Sequence, residues 1–171
     1  MTTCRLLGRA LLGATALSAL SIATPAAAQR IDEIIAFGDS YADEGNAFQL
    51  AGINPVSTIV YATGRFTGGT NFNDELSALT GAPVANFAIG GALTGNTNTS
   101  AGLPGFTFEV ASFAAGGGGV FPTIPTTFDE NDLVTVSIGG NDARVFQQGG
   151  GTVDAAPAAA CVKIFDPDRA K

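Results

Sequence analysis

Three short turns of this sequence carry the groups that could do chemistry. Ser40 offers a hydroxyl that could act as a nucleophile. Gly91, like Gly90 before it, has no side chain, so its backbone N–H can approach a ligand closely. Asn141 carries a neutral carboxamide that suits an oxygen gaining negative charge only in a transition state. Together these groups predict an acyl-transfer site.

Each turn also has an ordinary structural explanation. Gly, Asn, Asp and Ser are common turn formers, and for any one turn taken alone that explanation is the better one. All three turns, however, directly follow an apolar run that is typical of a strand. Open α/β sheets bind their ligands at the carboxyl ends of their strands. The coincidence of three such turns therefore favours one shared site.

The three apolar runs cover residues 33–37, 83–89 and 133–138. They are short, β-prone and stopped by glycine-containing turns. Because they do not alternate cleanly between apolar and polar residues, they predict a parallel sheet that is covered on both faces. No run after Ile138 is typical of another strand, so the sheet would be thin with two unprotected edges.

Helical signals lie between the predicted strands. Asn71 is a predicted N-cap with Asp74 in the first turn, and Gly81 ends this helix. Its apolar residues Phe72, Leu76 and Leu79 share one face. The alternation of strand and helix is the unit of an α/β sheet.

A second helix start is predicted directly after Ser40. Asp43 and Glu44 suit a first helical turn, and the positive end of that helix would favour an oxyanion beside the Ser40 backbone N–H.

Residues 95–131 have a different composition, rich in Gly, Thr, Asn and Pro with phenylalanines interspersed. A loop of this length inside a compact domain is usually functional or poorly ordered. Two interpretations remain open. The segment is a surface excursion whose aromatic rings pack on the core, or it is an apolar wall for an acyl chain. The rings concerned are Phe106, Phe108, Phe113, Phe121 and Phe128.

Four stretches of the chain resemble the sequence blocks of the GDSL, or SGNH, hydrolases. Residues 37–46, 86–92 and 139–142 resemble the first three blocks of that family, and residues 64–74 resemble a stretch of its lipase and esterase branch. Each block is weak alone, but four in order are specific. The resemblance spans about residues 31 to 145.

The resemblance implies a three-layer α/β/α, flavodoxin-like fold and hydrolysis of carboxylic esters through an acyl-enzyme. By position it implies Ser40 as the nucleophile, Gly91 as the backbone oxyanion donor with Gly90 as the alternative, and Asn141 as the side-chain donor. Asp39 and Asp142 would mainly hold the turns. The implied substrate is a small-molecule or lipid ester, with no cofactor and no metal.

One departure from the family pattern concerns the general base. Members of the family end with an Asp-x-x-His block, whose histidine takes the serine proton. This sequence has no histidine, and its last match is residues 166–169, which end in Arg169. Arginine stays protonated and cannot be a base. Loss of the serine or the histidine costs about a millionfold in turnover in a well-studied serine protease.

Three hypotheses follow from this departure. The first is a C-terminally truncated or frameshifted esterase or lipase, in which residues 29–171 are the N-terminal part of the hydrolase domain. The second is a non-catalytic module that binds acyl or sugar esters. The third is a passenger segment without activity, for which the sequence shows no barrel-forming strands.

Residues 1–28 have the pattern of a signal peptide. Arg5 and Arg9 form a basic start, residues 11–22 are apolar, and residues 26–28 form an A-x-A cleavage site. The apolar run is too short and too rich in Ala and Ser for a membrane span. We therefore expect a secreted, periplasmic or cell-surface protein without stable membrane insertion.

Composition limits the partners and the metal chemistry. The formal net charge is −7, and removal of residues 1–28 would make it more negative, which argues against nucleic acid and anionic membranes. After that cleavage Cys161 alone remains, so no internal disulfide is expected. Without histidine, a structural Cys/His metal site is also not expected.

Overall fold

The centre of the fold is a parallel sheet of three strands in the order β2-β1-β3. The computed structural model describes residues 30–54, 61–125 and 127–152. The strands are β1 (Glu33–Gly38), β2 (Val84–Asn86) and β3 (Asp132–Ser137). All three predicted strands are confirmed, although β2 ends three residues earlier than expected. The signal-peptide segment, Cys161 and the tail that ends in Arg169 lie outside the described residues.

Four helices accompany the sheet: α1 (Asn46–Leu50), α2 (Phe72–Thr80), α3 (Phe106–Ala114) and α4 (Gly140–Gln148). The rings of Phe37 and Phe113 meet edge to face at 5.8 Å, which places α3 on the face of β1 that carries Phe37. On the other face, the Thr135 hydroxyl donates to Oδ1 of Asn73 on α2 at 2.8 Å. Helices therefore lie on both sides of the sheet, and the predicted α/β fold is confirmed.

The ends of α2 agree with the sequence prediction, but its buried face does not. The Asn71 side chain accepts from the backbone N–H groups of Asn73 and Asp74, and Gly81 ends the helix at φ 76°. The predicted apolar face is largely outside the core, with Leu79 83 % exposed. The helix packs inward through Asn73 instead, because that side chain meets a polar residue of β3. The pattern of apolar residues along α2 alone could not indicate that a polar side chain would face the sheet.

The segment 95–131 contains α3 and supplies much of the core. Phe87 stacks on Phe121 at 5.2 Å and meets Phe113 edge to face at 5.8 Å. Phe106 and Phe113 also contact the ring of Phe37. The first interpretation therefore holds for Phe106, Phe113 and Phe121, whereas Phe108 and Phe128 are 43 % and 51 % exposed.

Strand β3 is less covered than predicted. Val134 and Val136 pair in register with Ile35 and Phe37 and so share their face of the sheet. Ile35 and Phe37 are buried, whereas Val136 is 56 % exposed. The expectation of a sheet covered on both faces therefore holds for β1 and is wrong for β3 among the described residues, because α3 packs over β1 rather than over this edge.

No helix in the described ranges is long and apolar enough to cross a membrane.

Candidate functional site

Ser40 lies, half-buried, in a tight turn that leaves the carboxyl end of β1. Asp39 organises this turn. Its backbone carbonyl accepts from the N–H groups of Ala42 and Asp43 at 2.9 and 3.0 Å, and its carboxylate accepts from the N–H of Tyr41 at 3.1 Å. Burial raises the pKa of the Asp39 carboxyl, opposed mainly by the hydrogen bond from Tyr41. The turn is therefore held from inside, with Ser40 in its middle.

The helix predicted directly after Ser40 begins later than expected. Helix α1 starts at Asn46, and neither Asp43 nor Glu44 lies in its first turn. The carboxylate of Asp43 caps the helix from outside instead, and accepts from the N–H groups of Gly45 at 2.6 Å and Asn46 at 2.7 Å. The prediction of a free positive helix end beside Ser40 is therefore wrong, because a buried carboxylate already occupies it.

The same carboxylate reaches the second turn. Oδ2 of Asp43 accepts from the N–H of Gly90 at 2.7 Å. Burial raises the pKa of Asp43, although four backbone N–H groups oppose that shift. The Gly90 N–H is thus engaged, and its neighbour Gly91 has a φ of 81°, which a residue with a Cβ rarely adopts. No hydrogen bond joins the Gly91 N–H to another residue in the described part of the chain.

Asn141 lies in the first turn of α4, where its buried side chain reaches both other turns. Its Nδ2 donates to the carbonyl of Ala92 at 3.1 Å and, at 3.5 Å, to Oδ2 of Asp39. Arg144 donates to its Oδ1 at 2.9 Å, which fixes the carboxamide so that the NH2 group points toward the two turns. The 3.5 Å contact with Asp39 is long for a hydrogen bond, so that N–H is the one more easily given to a ligand.

Asp142, next along α4, fastens the loop after β2. Its two carboxylate oxygens accept from the backbone N–H and the hydroxyl of Thr94 at 2.9 and 2.8 Å. The three turns that the sequence singled out are therefore connected to one another at one edge of the sheet. Among the described residues, no group of three or more acidic, cysteine or histidine side chains is arranged to hold a metal ion.

Glu109 is a residue of this region that sequence reasoning missed. It lies on α3 and is fully buried. Its Oε2 accepts from the N–H of Gly38 at 2.8 Å, and its Oε1 accepts from the N–H of Ile89 at 3.2 Å. One carboxyl group therefore joins the end of β1 to the residues before Gly90. An acid inside an otherwise apolar helix was the signal that could have marked it.

A cluster of three buried asparagines was also missed. Nδ2 of Asn86 and of Asn71 donate to the same acceptor, the carbonyl of Ala42, at 2.7 and 3.0 Å. Asn46 donates from Nδ2 to the backbone carbonyls of Asn86 and Ala88, each at 3.0 Å. The cluster ties the turn after Ser40 to β2 and to the start of α2.

Replacing Asn86 by alanine should destabilise the protein by about 2 kcal/mol, since the Ala42 carbonyl and the Ala88 N–H lose a buried partner. Urea unfolding of the full chain measures this change. Asn131→Ala, at a partly exposed position, is the matched control and should change stability by less than about 0.5 kcal/mol. Equal effects of both substitutions would show that the buried cluster has no special role.

The loop between α1 and α2 is anchored by an ion pair. The Arg65 guanidinium contacts the carboxylate of Asp74 and lies 3.9 Å from that of Glu44. Asp74 also accepts from the N–H of Asn71 at 2.7 Å, so it completes the capping box of α2 and holds the loop at the same time. The stretch that resembled the lipase and esterase branch is therefore held against the helix that follows it.

Comparison with known proteins bears on the same region. No curated protein matches the chain. The family model described as GDSL-like Lipase/Acylhydrolase matches residues 34–164, which include all three turns and the loop that Arg65 anchors. A match over this share of the sequence shows the family. This chain belongs to the GDSL-like lipase/acylhydrolase family.

Proposed function

We propose that this protein is an exported serine ester hydrolase that acts through an acyl-enzyme on Ser40. The observation that carries the proposal is the direct connection of the three turns at the carboxyl edge of the sheet, through the side chains of Asn141 and Asp43. The family match supports hydrolase chemistry in general. The signal-peptide pattern of residues 1–28 supports export.

In the proposed reaction the Ser40 hydroxyl oxygen attacks the ester carbonyl, and the carbonyl electron pair moves to oxygen. The N–H of Gly91 and the Nδ2 of Asn141 donate to that oxyanion. Gly91 is favoured over Gly90 because the Gly90 N–H is already bonded to Asp43. Collapse of the intermediate expels the alcohol, and water then releases the acid from the acylated serine.

The proton of Ser40 needs an acceptor, and these 171 residues contain no histidine. We propose that the complete catalytic unit takes an imidazole from an Asp-x-x-His segment outside this sequence. A second candidate function, a non-catalytic module that binds esters, is favoured by the same lack of histidine. The two functions differ in whether Ser40 reacts once a base is provided.

Added imidazole should therefore rescue hydrolysis. With p-nitrophenyl butyrate as substrate, we expect the chain to be almost inactive in plain buffer and to gain activity in proportion to imidazole concentration. Imidazole alone also cleaves such esters, so the informative quantity is the rate difference between the chain and its Ser40→Ala variant. Ser112→Ala, on α3, is the matched control and should behave as the unmodified chain.

An imidazole-dependent rate that disappears in Ser40→Ala supports the hydrolase. Identical rates for the chain and Ser40→Ala at every imidazole concentration would contradict it and leave the binding module as the better account.

A further inference from the structure

The peptide between Gly90 and Gly91 is the middle of a tight turn. The N–H of Ala92 donates to the carbonyl of Ile89 at 3.0 Å, and Gly91 has a φ of 81°. A turn closed in this way with a positive φ at its third residue is of type II. A type I turn has the same closing hydrogen bond, but its middle peptide is rotated by roughly 180°. Glycine at the third position allows both types, because it adopts positive and negative φ about equally readily.

The choice between the two turn types decides where the Gly91 N–H points. That N–H and the Gly90 carbonyl belong to one trans peptide and therefore point in opposite directions. Rotation of the peptide exchanges their positions, so an oxyanion would meet a carbonyl oxygen in place of a donor. The proposed oxyanion donor therefore depends on a group that fixes the Gly90 carbonyl.

The side chain of Asn98 is that group. Its Nδ2 donates to the Gly90 carbonyl at 3.0 Å and to the Pro104 carbonyl at 2.9 Å. Its Oδ1 accepts from the N–H of Ser100 at 2.8 Å. Three hydrogen bonds thus fix the orientation of the carboxamide. If the turn changed to type I, the bond from Nδ2 to Gly90 would be lost.

The backbone around Asn98 keeps it against the turn. Asn98 forms an isolated antiparallel bridge with Ala92, and the N–H of Thr99 donates to the Gly91 carbonyl at 2.9 Å. A Cβ added to Gly91 would overlap Oδ1 of Asn98. Asn98 therefore lies directly on the turn, on the side of the Gly90 carbonyl, and the Gly91 N–H is directed to the opposite side.

We propose that Asn98 is a positioning residue for the oxyanion site. By holding the Gly90 carbonyl, it keeps the Gly91 N–H directed at the oxyanion. This inference rests on the proposed function, because it takes Gly91 as a donor to the oxyanion that forms when Ser40 attacks. Without Asn98 the donor is correctly oriented for only part of the time. The transition state is then less stabilised, whereas binding of the substrate before the attack changes little.

Asn98→Ala tests the inference in the ester assay with imidazole. We expect the maximum rate that depends on Ser40 to fall by about 10–100-fold, which is less than the loss of a donor outright would cause. The KM should change by less than about twofold. Asn96→Ala makes the same substitution at an exposed position of the same loop and should behave as the unmodified chain. Circular dichroism and urea unfolding confirm that each variant is folded.

Thr99→Val distinguishes the orientation of one peptide from a general loosening of the loop. The Thr99 hydroxyl donates to the Gly91 carbonyl at 3.2 Å. That carbonyl belongs to the next peptide, which keeps its orientation in both turn types. Thr99→Val should therefore lower the rate far less than Asn98→Ala. Equal losses in the two variants would overturn the inference.

Nuclear magnetic resonance of the isotope-labelled full chain separates this inference from the proposed function, because it does not need Ser40 to react. The carbonyl-carbon signal of Gly90 and the amide signal of Gly91 should shift or split in Asn98→Ala and stay in place in Asn96→Ala. Shifted signals together with an unreactive Ser40 in the unmodified chain would sustain the orientation by Asn98 and reject the hydrolase. A reactive Ser40 whose rate and glycine signals are unchanged in Asn98→Ala would overturn the inference and leave the hydrolase standing.

Discussion

Replacing Glu109 by alanine is expected to destabilise the protein by about 3 kcal/mol or more. The N–H groups of Gly38 and Ile89 would each lose their partner in a buried environment, and each such loss costs about 1–3 kcal/mol. A cavity would also open beneath the carboxyl ends of β1 and β2. Because both N–H groups precede the proposed catalytic turns, the imidazole-dependent reaction of Ser40 should fall as well. Urea unfolding and the ester assay measure the two effects.

Glu109 also predicts how stability depends on pH. Burial raises the pKa of this carboxyl to about 9, with a smaller contribution from the nearby carboxylates Asp43 and Asp39 and an opposing one from its two N–H donors. In the unfolded chain its pKa is the ordinary 4.5. Between pH 4.5 and about 9, the Glu109 carboxyl is therefore protonated in the folded protein, whereas in the unfolded chain it has lost its proton. Stability contributed by this group is complete below pH 4.5 and is lost as pH rises through that window.

Four further carboxyls also have a raised pKa. Their contribution to stability is therefore also lost as pH rises. Burial is the largest cause at each of them: Glu33, Asp39, Asp43 and Glu44. We expect the full chain to be more stable to urea at pH 5 than at pH 8. Glu109→Gln should reduce this difference, because an amide does not titrate.

Glu75→Gln is the matched control, since it makes the same substitution at an exposed position on α2. It should leave the difference between pH 5 and pH 8 unchanged. A protein that is more stable at pH 8, or a Glu109→Gln variant with the same pH dependence as the unmodified chain, would contradict this account of Glu109.

Replacing Gly38 by alanine is expected to be nearly as damaging as the loss of Glu109. The φ of Gly38 is 146°, in a region that residues with a Cβ rarely adopt, and an added Cβ would overlap the backbone carbonyl of Ser137 on β3. Strain alone costs about 1–3 kcal/mol, and the overlap with backbone adds to it because β3 would have to move. Thermal unfolding should show a fall in Tm of several degrees.

Gly52→Ala separates the two causes. Gly52 also has a positive φ, 66°, but no atom of the residues that the structure describes lies within 4 Å of an added Cβ. This control should show only the smaller, conformational cost. If both substitutions lower Tm equally, the close approach of β1 and β3 at Gly38 is not what requires a glycine there.

The sequence predicted the parts of the fold whose signals are local. The three strands and the two ends of α2 were found because apolar runs, an Asn N-cap and a terminal glycine act within a few residues of themselves. The start of α1 was misplaced because the Asp43 carboxylate caps the helix from outside and does not lie in its first turn. Which face of α2 is buried depends on Thr135, 62 residues away from Asn73, and no periodicity reports that contact.

The candidate site divides in the same way. The turns at Ser40, Gly91 and Asn141 could be found because each follows a strand. Their supports could not, because Glu109 acts on Gly38 across 71 residues and Asp43 acts on Gly90 across 47. By position the resemblance already preferred Gly91 to Gly90, and the structure adds that the Gly90 N–H is bonded to Asp43.

The most direct test of the central claim is where a fluorophosphonate probe bonds to the protein. We expect peptide mass spectrometry to find the label on Ser40, formed slowly in plain buffer, faster with imidazole, and clearly once an Asp-x-x-His segment is joined to the chain. The variant Asn141→Ala should lower the rate by about 10²–10³-fold, as loss of an oxyanion donor does. Label on another residue, or no label on Ser40 even with imidazole, would contradict the assignment of Ser40 as the nucleophile.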